Sequence, residues 1–223
     1  MSDEGAAVEN AEAEERVQFM LRLRARGIND LRLLRALERA PRALFMPQRY
    51  ADVAWRDIAM PIGAGQTAPP PSVLAAMIQA LDPAPDSRVL EVGTGTGYAA
   101  SLLAQLASDV VSVERHQTLA LEAASRFQAF GLDNVSALWG DGLALDPTAT
   151  RYDRILVHAL IEPPAPNLMN LLSQDGVLVA VVVSEGSQRI VRLTRDAGGQ
   201  VVAEISGPAR TARPLAAGLA RAL

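Results

Sequence analysis

The stretch that most constrains this chain is Arg88 to Gly97, RVLEVGTGTG, together with the Tyr98 that follows it. Val89, Leu90 and Val92 form a short apolar run with β-branched character, which predicts a buried strand. The run stops at Gly93, and glycine then alternates with threonine through Thr94, Gly95, Thr96 and Gly97. Beyond it, YAASLLAQLA has the period and the residues of a helix. Strand, glycine turn and helix together make the loop with which α/β proteins hold nucleotide-like ligands. Glycine accepts positive φ there and lets the backbone approach the ligand.

Spacing narrows the ligand. A dinucleotide loop reads G-x-G-x-x-G, but the sixth position counted from Gly93 is Tyr98, and the third glycine comes one place early. The phosphate-loop ending Gly-Lys-Ser/Thr is absent. Glu91, two residues before the first glycine, would repel a pyrophosphate and suits a ligand with a cationic end. The pattern E-x-G-x-G-x-G resembles motif I of the class I methyltransferases. Their cofactor, S-adenosylmethionine, has no phosphate and carries an amino group and a sulfonium.

Composition removes other chemistries. The chain has no cysteine, which excludes disulfides, thiolate zinc sites and cysteine nucleophiles. All 21 basic residues are arginine, so a lysine Schiff base is excluded as well. His116 and His158 are the only histidines, too few for a histidine-rich metal site. A net charge of −4 gives no global attraction to nucleic acid. No run approaches a membrane span and the N-terminus is acidic, so a cytoplasmic protein is expected. A monomer is expected as well, although nothing in the sequence fixes the oligomeric state. At 223 residues, 49% hydrophobic and 4% aromatic, one domain with an aliphatic core is expected.

Along the chain, residues 1–15 read as an acidic tail, disordered or the start of a helix. Residues 16–86 read as N-terminal helices and a substrate-side loop, and 87–223 as the cofactor-binding core. A first helix is expected from Arg16 to Arg26 with a stripe of Val17, Met20, Leu21 and Leu23. Asp30 is placed to cap a second. The ten arginines between Arg16 and Arg56 make either a patch for an acidic polymer or a solvated helix face. Prolines and glycines from Pro41 to Gly65 mark turns and loops that cover a site, and Ser72 is expected to cap the helix SVLAAMIQAL. From Arg88 onward strands alternate with helices: VVSVE, HQTLALEAASRFQAFG, NVSALWGDG, YDRILVHAL, PNLMNLL and GVLVAVVV. QRIVRLTRD and QVVAEIS then pair as a hairpin. This predicts a doubly wound, Rossmann-like α/β fold with a mostly parallel sheet and an antiparallel edge.

Ligands of such sheets bind beyond the carboxyl ends of the strands. Glu114 ends the second strand, where an acid would take ribose hydroxyls. Asp141 and Gly142 follow the third, where a carboxylate and an N–H would meet an adenine. His158 lies at the functional end of the fourth strand, facing either the ligand or a structural partner. Asp153 begins that strand, away from the site, and His116 reads as a surface residue beside the adenosine.

With these residues in place, the chain resembles the protein-L-isoaspartate O-methyltransferases from about Leu37 to Leu215. The resemblance rests on APRALFMP, WRDIAMPIGAGQT, VLEVGTGTGYAASLLAQL, VVSVER, NVSALWGDG, YDRILVHA and TARPL. It implies a class I methyltransferase sheet of seven strands with the last antiparallel, and S-adenosylmethionine as cofactor. The implied cofactor residues are Glu91, Gly93, Thr94, Gly95, Gly97, Glu114, Arg115, Asp141, Gly142 and His158. It also implies methyl transfer to the α-carboxylate of L-isoaspartyl residues in peptides and damaged proteins, with Gln66, Thr67 and the position of Pro69 beside the acceptor. No metal is implied. At Pro69 the family carries a serine, and a lost hydrogen bond to a charged group costs about 1.5–3 kcal/mol. Weakened or redirected isoaspartyl activity is therefore expected. Methylation of another carboxylate, and binding of the cofactor without turnover, remain the alternatives, with a nicotinamide enzyme more distant.

Overall fold

The computed structural model describes residues 3–220, with side chains from Glu14 onward. Helix α1 (Asp3–Ala25) takes in most of the acidic stretch as well as the segment from Arg16. Its buried residues are Phe19 and Leu23, whereas Val17 and Leu21 are exposed. The expected stripe is thus rotated. Positions four apart share a helix face, and Phe19 reaches Trp55 with 5.5 Å between ring centroids. Asp30 caps α2 (Leu31–Arg39) as its position predicts, accepting from the amides of Arg32 and Leu33. Two 3₁₀ turns follow, over Arg42–Phe45 and Gln48–Val53.

Strands β1 (Met60–Pro61) and β2 (Thr67–Ala68) make a small antiparallel hairpin. Helix α3 (Pro71–Leu81) starts one residue before Ser72, so that serine is inside the first turn rather than capping it. The capping carboxylate comes from Asp57. Its two oxygens accept from the Ser72 amide and hydroxyl, each at 2.9 Å. A proline-rich entry offers few free amides, so one distant acid satisfies the exposed one.

The glycine-turn unit follows as expected: β3 (Arg88–Val92), then α4 (Tyr98–Ala104). Then come β4 (Asp109–Glu114), α5 (Gln117–Ala129), β5 (Val135–Trp139) and β6 (Tyr152–Leu160). The expected helix PNLMNLL shrinks to α6 (Pro166–Met169), and β7 (Leu172–Ser184) begins four residues before GVLVAVVV. A short apolar run serves either state, and here the sheet takes its second half. The hairpin of β8 (Ser187–Arg195) and β9 (Val201–Pro208) closes the fold.

The seven-stranded sheet has the order β5-β4-β3-β6-β7-β8-β9. The first five strands are parallel, β8 runs against them, and β9 pairs antiparallel with β8 at the edge. Alternate residues divide between two cores. Val89, Val110, Leu156, Val177 and Val179 face the layer of α3, α4 and the N-terminal helices. Leu90, Ile155, Val157, Leu178 and Ala180 face the other layer. Successive connections leave β3 in opposite directions, to β4 and β6, which makes the carboxyl end of β3 the switch point where a ligand crevice opens.

Candidate active site

A cavity of about 540 Å³ opens at that switch point. Its floor is the glycine turn, with φ of 97°, 54° and 87° at Gly93, Gly95 and Gly97. At Gly97 a side chain would also collide with Phe127, whose ring carbon would lie 2.9 Å from an added Cβ. One wall holds Gly140, Asp141 and Gly142 after β5, and Gly142 approaches Val92 so closely that an added Cβ would lie 2.7 Å from its methyl carbon. Gln66, Thr67, Ala68 and Pro69 of the β2 segment make the opposite wall. Glycines at these places let backbone, rather than side chains, line the space.

Most residues expected at the site line this cavity: Gln66, Thr67, Pro69, Gly93, Thr94, Gly95, Glu114, Arg115, Asp141, Gly142 and His158. Gly97 does not; it ends the turn and precedes α4. Glu91 does not either, which corrects the expectation that its carboxylate faces the ligand directly. It is fully buried; Oε1 lies 2.9 Å from His158 Nε2, and Oε2 accepts from the Ser112 hydroxyl. Strand register explains this. Ser112 is the partner of Glu91 on β4, and His158 lies two residues beyond its partner Leu156 on β6, on the same face. The Ser112 hydroxyl also lies 2.5 Å from Thr94 Oγ1, so one buried polar chain links His158, Glu91, Ser112 and the glycine turn. A buried carboxylate is tolerated only with such partners. His158 therefore lines the cavity and has a buried partner as well.

Glu114 is 5% exposed and already engaged. Oε2 accepts from the Gly95 amide at 2.9 Å, and Oε1 from the His116 amide at 2.9 Å, with His116 Nδ1 at the same distance. Each carboxylate oxygen can accept twice, so Oε2 keeps capacity for a ligand hydroxyl. His116 is partly buried and lines the cavity. Asp141 Oδ1 accepts from the Leu143 amide at 2.9 Å, and Oδ2 from the Gly218 amide at 2.6 Å. Asp153 lies at the amino end of β6, as expected, accepting from the Arg88 amide and the Ser173 hydroxyl.

Three contributors went unread in the sequence. Residues 213–220 cross the cavity mouth, tied by Leu160 N–H to Arg213 O, Leu215 N–H to Leu160 O and Ala220 N–H to Arg115 O. Only TARPL gave a signal for this segment. Tyr98 lines the cavity, its hydroxyl buried and without a partner, and Arg42 lines it too, at 1% exposure. Arg42 looked like one of ten similar arginines; the other nine are exposed.

A seven-stranded, doubly wound sheet with a glycine turn at its switch point, an acid ending β4 and another following β5 defines a Rossmann-like α/β protein of the class I methyltransferase type. The chain belongs to the protein-L-isoaspartate(D-aspartate) O-methyltransferase family, whose sequence profile matches residues 14–210. A protein-L-isoaspartate O-methyltransferase 2 of Rhodopseudomonas palustris is 45% identical, with 83% of this chain and 86% of that protein covered. A protein-L-isoaspartate O-methyltransferase of Azorhizobium caulinodans is 41% identical over 96% of this chain and 98% of its own length. Among solved structures, a Plasmodium falciparum protein described as a putative protein-L-isoaspartate O-methyltransferase in complex with S-adenosyl-L-homocysteine shares the fold. Its TM-score is 0.74 at 20% identity, covering 89% of this chain and 97% of that one.

Proposed function

We propose that this chain transfers a methyl group from S-adenosylmethionine to the α-carboxylate of L-isoaspartyl residues in damaged proteins and peptides, acting as a cytoplasmic monomer. The observation that carries the reading is the cavity itself. It joins a glycine turn, the acid that ends β4 and an acid after β5 to the Gln66–Pro69 wall in one space. The residues fit the cofactor. The backbone-lined turn and the close-packed Gly142 leave room for it, Glu114 keeps acceptor capacity for ribose hydroxyls, and Asp141 and the Gly142 amide suit an adenine edge.

When bound, S-adenosylmethionine supplies an electrophilic methyl. The acceptor carboxylate is ionised at pH 7, so the protein needs no general base. Its task is positioning, worth up to about 7–11 kcal/mol when reacting atoms are held in line. The Gln66–Pro69 wall would hold the acceptor, while the chain from Thr94 through Ser112 and Glu91 to His158 keeps the cavity floor rigid. Excluding water also helps, because opposite charges neutralise as the methyl moves.

The test is repair itself. An isoaspartyl peptide incubated with protein and S-adenosylmethionine, followed by chromatography, should convert progressively to succinimide and aspartyl peptide. An isoaspartyl content that stays constant while cofactor binds would overturn the reading and favour cofactor binding without this turnover.

A further inference from the structure

Arg42 is the one arginine of the N-terminal region taken into the core, at 1% exposure, and it lines the cavity. Its guanidinium donates to the carbonyl of Ala54 at 2.8 Å and of Pro69 at 3.3 Å, with the sulfur of Met60 at 3.9 Å. Among the described residues no carboxylate pairs with it. Proteins seldom bury a charge without a counter-charge, because desolvation is expensive and the two carbonyls repay it only in part. Beside it is Tyr98, with Cζ of Arg42 6.0 Å from the ring centroid. The Tyr98 hydroxyl is buried and has no hydrogen-bond partner. A buried cation without an anion and a buried hydroxyl without an acceptor thus stand side by side at the cavity, the cation bonded to the Pro69 carbonyl.

We propose that Arg42, with the Tyr98 hydroxyl, is the counter-charge that holds the acceptor carboxylate in this chain, in place of the serine hydroxyl that Pro69 lacks. This rests on the methyltransferase reading above. The other arginines lining the cavity are placed differently: Arg115 follows Glu114 on the cofactor side, and Arg213 is on the exposed C-terminal segment. Arg42 alone of the three bonds the Gln66–Pro69 wall, through the Pro69 carbonyl. Burial pushes its guanidinium down to about 10, which still leaves it charged at neutral pH. In a poorly solvated wall that charge acts strongly on an anion. The pairing also favours product release. Methyl transfer forms a carboxylate O–CH₃ bond, breaks the S–CH₃ bond and leaves a neutral ester and a neutral thioether. The product therefore no longer attracts Arg42. Since the acceptor loses charge on the way to the transition state, Arg42 stabilises bound substrate more than the transition state, and its loss falls on KM rather than on kcat.

The experiment compares wild type, Arg42→Gln and Tyr98→Phe. It measures binding of an isoaspartyl peptide and its α-carboxamide counterpart in the presence of S-adenosylhomocysteine, with thermal unfolding, cofactor affinity and methyl transfer followed in parallel. Wild type should prefer the carboxylate peptide. Tyr98→Phe, which keeps the ring and removes an unpartnered hydroxyl, should melt no lower than wild type yet bind the carboxylate peptide about tenfold less tightly. Arg42→Gln should lose the preference altogether, with KM raised about a hundredfold and cofactor affinity retained. If Arg42→Gln does not fold, Tyr98→Phe decides alone. Wild-type methylation with the carboxylate preference intact in the folded variants would overturn the proposal and leave the methyltransferase reading standing. A wild type that fails to methylate but prefers the carboxylate, with that preference lost in the variants, would sustain the anchor and reject the isoaspartyl reaction. No preference in wild type would overturn the proposal.

Discussion

Nε2 of His158 lies 2.9 Å from Oε1 of Glu91, and the other oxygen of that buried carboxylate takes the Ser112 hydroxyl. A residue facing the cavity is thereby tied through the core to the glycine turn, because Ser112 also meets Thr94. In the proposed site Glu91 would act by orienting its neighbours rather than by touching the ligand. Glu91→Ala would leave Ser112 and His158 without their partner and open a buried hole. It should cost about 1–3 kcal/mol of stability and weaken S-adenosylmethionine binding at least tenfold. Thermal unfolding and titration calorimetry check both, and unchanged cofactor affinity would remove Glu91 from the site.

Pro69→Ser restores the family's side chain and keeps the carbonyl that Arg42 uses. With Arg42 and Tyr98 holding the acceptor, the gain in kcat/KM on an isoaspartyl peptide should stay below about threefold. A gain of ten- to hundredfold, the value of a hydrogen bond to a charged group, would mean that the missing hydroxyl limits the enzyme.

Gly142→Ala would place a methyl 2.7 Å from Val92 Cγ1, on a strand fixed from both sides. Overpacking of this kind costs about 1–3 kcal/mol. The variant should show a lowered Tm and weaker cofactor binding, since the displaced loop carries Asp141.

Removing residues 216–223 deletes the Gly218 amide that bonds Asp141 and the Ala220 amide that bonds the Arg115 carbonyl, together with part of the cavity wall. Two hydrogen bonds of ordinary worth predict cofactor binding weakened about tenfold, seen as faster release in stopped-flow experiments. Unaltered release kinetics would show that the segment merely rests on the surface.

Much of this was legible from Arg88 onward, because the evidence there is periodic and local. A strand, a glycine turn and a helix follow from the side chains themselves, as does the placement of acids at strand ends. Asp30 was readable for the same reason, since a cap acts on its own helix. What escaped depends on distant parts of the chain meeting. Asp57 caps α3 across fifteen positions, and Gly218 bonds Asp141 across seventy-seven. Arg42 has the same local signature as its exposed neighbours, and only packing against Ala54, Met60 and Pro69 sets it apart. Glu91 stands out in the sequence, but the direction of its side chain depends on the register with β4 and β6.

The most direct measurement of the central claim uses methyl-labelled S-adenosylmethionine with matched isoaspartyl and aspartyl peptides, counting base-labile methyl ester on each. Label is expected on the isoaspartyl peptide alone. Label on neither peptide, with cofactor binding demonstrated in the same preparation, or equal label on both, would contradict it.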